Sequence, residues 1–136
     1  MNRYKPSSEA EQSYAADLVL AGKQPELLDA AGTAETEFRQ AQARRAPAAE
    51  LRRLALALDS ALTDAMRAAF AAQRSEIGVR GYDDRIYRRK AKAKPHIHAL
   101  TADAERLLTL RETHRLNDIP AVTFEPSPLM GEITTT

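Results

Sequence analysis

The chain contains no cysteine and no tryptophan, and aromatic residues make up only 5% of its 136 positions. Without cysteine there is no disulfide scaffold, no Cys-ligated zinc and no thiol catalysis. The same absence suits a reducing compartment, or a virus particle assembled in one. Large apolar residues are sparse as well: Leu, Ile, Val and Phe together number 26, and alanine alone supplies 26 more. Alanine favours helix strongly but removes few apolar atoms from water. Helices built this way are thin and gain stability by packing on one another or on a partner, which excludes a thick-cored enzyme of ordinary type. No apolar run approaches the ~20 residues that a membrane-spanning helix needs, so no membrane span is expected. Met1-Asn2-Arg3-Tyr4-Lys5-Pro6 is basic but has no apolar run after it, unlike a secretory signal. The formal net charge of +1 argues against outright disorder, and the length suits one domain.

What is present is helical periodicity. It predicts an all-α protein, a helical hairpin or bundle over residues 1–117 with a hinge near 78–81, followed by an extended C-terminal arm over 118–136. Ser8-x-x-Glu11 is a capping box, Ala10, Tyr14, Leu18 and Ala21 share one face, and Gly22 is placed to end the first helix. Pro25 suits the first position of a short second helix through Ala31. Gly32-Thr33 reads as a break before a third helix, Ala34 to Arg45. The strongest element runs from Ala48 to about Ile77. Its Leu51, Leu54, Leu58, Leu62 and Met66 recur in steps of three and four, forming one stripe on a helix about 45 Å long. That stripe is the expected interaction seam. After the hinge at Gly78 and Gly81, Tyr82 to Lys94 reads as one helix, and Pro95 opens a last amphipathic helix closing near Asn117. Beyond it, prolines and the loss of helical period read as an arm anchored by Val122 and Phe124, with a short strand across those residues.

The charge is distributed unevenly. Residues 80–95 carry seven basic and two acidic groups, +5, while residues 117–136 carry three acidic groups and no basic one, −3. Arg85, Arg88, Arg89 and Lys92 are expected on one helical face, with Tyr82, Ile86 and Ala93 on another. Such a stripe could track the phosphates of a nucleic acid. It also suits a solvated or subunit-facing helix, since Asp83 and Asp84 at its start and lysines at its end follow the helix dipole. A third reading pairs it with an acidic partner, such as the tail of a neighbouring subunit.

Signals of chemistry are few. His96 and His98 diverge on a helix, where alternate residues lie ~200° apart, so no metal site is expected. The sequence has no nucleophile elbow, no phosphate-cradling glycine loop and no paired carboxylates on an apolar face. No catalytic residue and no cofactor are expected.

The stretch from Ala68 to Ile86 combines an Ala-rich helix with a Gln, then Gly78-Val-Arg-Gly81, then a helix-starting Asp. It resembles the corresponding segment of small internal virion proteins of short-tailed phages. That resemblance implies a protein that leaves the capsid during infection and helps to form the conduit for genome ejection, with a packing role for Gly78 and Gly81. Proteins of that group often carry an apolar, membrane-capable stretch, which this chain lacks. The functional expectation is a structural or assembly component of a larger complex, in a virion or the cytoplasm. Its partners would be protein subunits, in a homo-oligomer or with other components, joined by helix packing and arm docking. The alternative is a nucleic-acid-binding accessory protein using the basic 80–95 segment.

Overall fold

The computed structural model describes residues 3–119. They form six helices and no strand: α1 (Ser8–Gly22), α2 (Gln24–Ala43), α3 (Ala48–Ile77), α4 (Arg80–Asp83), α5 (Arg85–Lys92) and α6 (Pro95–Asp118). The fold is therefore all-α, built on one long Ala/Leu-rich helix. Of the expected arm over 118–136, Asp118 is the last residue of α6 and Ile119 packs on the core; the rest, with Val122 and Phe124, lies outside the described residues.

The organising element is α3, and its ends follow from local chemistry. Pro47 precedes it with φ preset near the value a helix start needs, and Gly78 closes it at φ +105°, a region L side chains rarely adopt. Both α1 and α2 pack along α3, as does α6, yet α2 and α6 make no close backbone approach to one another. The result is an open layer with α3 in the middle, not a closed bundle of three equal partners. Ala41, Ala65, Ala68, Ala71 and Ala104 are completely buried, and such small side chains let the helices lie close together.

Apolar burial divides into two clusters. The larger joins Phe38 and Ala41 of α2 to Leu54, Leu58, Leu62 and Ala65 of α3, and the smaller joins Ile77, Ala91 and Ile97 around α5. The stripe expected as an interaction seam is thus turned inward. Leu54, Leu58 and Leu62 are buried within the chain, Leu51 packs on the same cluster, and half-buried Met66 receives Arg111 Nη1 at 3.6 Å on its sulfur. Leu51, Leu54, Leu58 and Leu62 thus belong to the intramolecular core, with Met66 at its edge against α6.

Three element boundaries differ from the expectation, each for a physical reason. The N-cap of α1 is Ser7, not Ser8: its hydroxyl accepts from the Ala10 N–H at 3.0 Å while donating to Asp83. Gly32-Thr33 does not break α2, which runs unbroken for 20 residues. Ala31 on one side of the glycine and Phe38 and Ala41 on the other are buried in the same cluster, which outweighs the ~1 kcal/mol penalty of a mid-helix glycine. The helix expected from Tyr82 to Lys94 is two helices, because Asp84 is extended and caps α5 by accepting from the Tyr87 N–H at 2.9 Å.

Candidate functional site

The corner between α3 and α5 carries both expected hinge glycines and is heavily cross-braced. A Cβ added at Gly81 would lie 2.7 Å from Ile77 Cγ2, so glycine is what lets α4 sit this close to α3. Asp17 of α1 accepts from Arg74 Nε and Nη2 at 2.8 and 3.1 Å and from the Tyr82 hydroxyl at 2.6 Å. Burial opposes the Asp17 charge, but the bonds from Arg74 and Tyr82 outweigh it and hold the carboxyl below its ordinary range. Desolvation, with the Asp17 carboxylate, pushes the Tyr82 phenol up.

A second brace joins the N-terminal segment to the corner. Tyr4 donates its hydroxyl to Asp83 at 2.6 Å, and desolvation together with that bond pushes the phenol up to about 12. Bonds from the Ser7 hydroxyl, the Tyr4 hydroxyl and the Ser7 N–H hold the Asp83 carboxyl below its usual value. The Arg80 guanidinium lies over the Tyr4 and Tyr87 rings, 5.4 and 4.9 Å from their centroids, and 3.5 Å from Asp84. The Tyr87 N–H bond and the nearby Arg80 hold Asp84 low in turn.

This framework decides how α5 presents its charge. Tyr87 and Ala91 face the smaller core. Arg85, Arg89 and Lys92, at i, i+4 and i+7, therefore occupy the opposite face and are exposed. Arg88 does not belong with them: its Nη1 donates to the Gly81 carbonyl at 2.6 Å, which turns it to the corner. Ile86, expected on a face apart from the basic residues, is 62% exposed. The four-residue stripe read from the sequence is thus a three-residue stripe, flanked by exposed Lys90 and Lys94. Elsewhere Arg44, Arg74 and Arg115 each reach a carboxylate; among the described residues Arg85, Arg89 and Lys92 pair with none.

Toward the other end, α2 and α6 diverge over α3 and leave a cleft of about 280 Å³. Leu58 and Leu62 form its floor, Leu110 stands 49% exposed at its wall, and Glu35 and Arg39 form the α2 rim. A second cleft of about 390 Å³, lined by Phe38, Leu51 and Arg52, lies beyond Asn117 and Asp118. Asp118 borders both clefts, and Ile119 packs on the larger core beside them.

Buried His114 joins the cleft walls and had no signal in the sequence beyond its i, i+4 spacing from Asp118. Its Nε2 lies 2.8 Å from the Ala55 carbonyl and its Nδ1 3.0 Å from the Asp118 carboxylate, and its ring meets Phe38 edge-on with centroids 5.5 Å apart. Arg39 approaches Asp118 at 3.5 Å, which ties the end of α6 to α2 as well.

His96 lies 3.6 Å from Glu76 and His98 is exposed on α6, so the two histidines do not converge. Among the described residues, no three His, Asp or Glu side chains gather to hold a metal ion, and no helix is long and apolar enough to cross a membrane. No family model matches the chain, and neither does any curated protein or solved structure.

Proposed function

We propose that this protein is a structural component of a larger assembly, in which the C-terminal arm of one copy docks into the α2–α6 cleft of the next. The observation that carries this reading is the cleft itself: half-exposed Leu110 stands at its wall over the already buried Leu58 and Leu62, beside the point where the chain continues past Ile119. Residues 120–136 reach up to roughly 56 Å when extended, at ~3.3 Å per residue. Val122 and Phe124 supply apolar anchors for the cleft. Leu116 at 84% exposure and Leu56 at 43% add apolar surface that a neighbouring copy would cover. A virus particle is one setting for such a part, in line with the resemblance of residues 68–86 to internal virion proteins.

The test is the light-scattering mass of the full chain against a chain ending at Ile119. A multimeric full chain and a monomeric, equally helical truncation are expected, with a free 120–136 peptide binding the truncation and losing affinity on Phe124→Ala. Equal masses would end the reading. A monomeric full chain whose melting temperature falls on truncation would place the arm in its own cleft and also end it.

A further inference from the structure

We infer that α5 docks the phosphate backbone of a nucleic acid, with Arg85, Arg89 and Lys92 making the contacts. Their i, i+4 and i+7 spacing aligns them along about 10 Å of helix axis at ~1.5 Å per residue. That length covers about three phosphates of one strand at ~3.4 Å of axis each. The face is held in place from behind by the Asp84 cap, by Arg88 on the Gly81 carbonyl and by Ala91 in the smaller core. A preformed array loses little freedom when it binds.

Two ordinary explanations leave part of the charge unaccounted for. The helix dipole favours Arg89 and Lys92 in the last turn of α5, but Arg85 is its first residue, where the dipole repels a cation. Among the described residues, intramolecular pairing does not absorb the charge either, because the carboxylates next to α5 have other partners. Asp83 is bonded by Ser7 and Tyr4, and Asp84 by Tyr87 and Arg80. An anionic membrane surface would supply phosphates as well, but an interfacial helix needs a broad apolar face, and Ile86 is the one large apolar side chain that α5 exposes. Two guanidiniums among three contacts suit bidentate phosphate recognition.

The experiment is fluorescence anisotropy of the full chain with labelled DNA and RNA duplexes between 50 and 200 mM salt. Three phosphate contacts predict a log–log slope near −2.7 and a roughly 40-fold loss of affinity over that range, at about −0.9 per contact. The combined variant Arg85→Gln, Arg89→Gln, Lys92→Gln is expected to abolish most of that slope with circular dichroism unchanged. Each single change should remove about 0.9 of it, so the single variants carry the test if the triple one misfolds. Arg53→Gln with Arg67→Gln, at exposed positions of α3, should leave the slope as it is. The inference is overturned by no binding to either duplex at 50 mM salt, by a slope indifferent to the three substitutions, or by binding to phosphatidylserine vesicles without binding to either duplex.

Discussion

Ser7 and Asp83, 76 residues apart, are joined twice: the Ser7 N–H donates to Asp83 Oδ2 at 2.9 Å and the Ser7 hydroxyl donates to Oδ1 at 2.6 Å. The same hydroxyl accepts from the Ala10 N–H, so the cap that starts α1 is itself fixed by the turn after α3. The first helix and the corner are thereby one mechanical unit.

Replacing Asp83 with Asn is expected to lower the melting temperature at neutral pH. Because the folded carboxyl is held below its ordinary value of 3.8, its contribution is complete above that value and is lost as pH falls through the lower folded one. The gap between the parent protein and Asp83→Asn should therefore close on acidification. Thermal melts across that range check it, and a gap that persists in strong acid would show that the carboxylate is not its source.

Tyr82→Phe removes one of three hydrogen bonds to the Asp17 carboxylate and leaves Arg74 in place. The expected loss is about 1–2 kcal/mol in urea denaturation, toward the low end for a bond to a charged group because Tyr82 is only half-buried. The folded phenol is raised above its ordinary value of 10, so its contribution is present in full below that value and declines as pH rises beyond it. The variant should lack that part of the alkaline decline.

Two glycines should respond with opposite signs. Gly32→Ala is expected to stabilise by about 0.5–1 kcal/mol, since the position is helical and a Cβ there meets nothing within 4 Å. Gly81→Ala should destabilise by about 1–3 kcal/mol, as the new methyl forces Ile77 to shift. In an Ile77→Ala background that second penalty should largely disappear, because the two residues are in contact and their effects are not additive. Chemical denaturation of the four variants checks both signs.

Much of the secondary structure was legible in the chain. The limits of α3 follow from Pro47, a periodic apolar stripe and Gly78, all of which act within a few residues. The start of α6 follows in the same way from Pro95. Where reading failed, a distant group had decided. Gly32 stays helical because α2 is buried on α3, and Asp83 selects Ser7 over Ser8 as the cap. The Leu51–Met66 stripe was correctly read as one apolar face, but periodicity cannot say whether its partner lies in the same chain.

For the candidate surfaces the division is similar. Composition alone located the +5 segment and the acidic tail, because charge is additive along a sequence whatever the fold. Which bases reach outward was decided by packing: Arg88 goes to the Gly81 carbonyl, while Arg85, Arg89 and Lys92 are exposed. The cleft and buried His114 had no clear sequence signature, since both arise from α2 and α6 flanking α3 with only side chains bridging between them. Local chemistry and helical period thus determined the elements and the sign of each region's charge. Only tertiary structure decided which faces were spent on the core and which were left for a partner, because burial depends on neighbours far away in the chain.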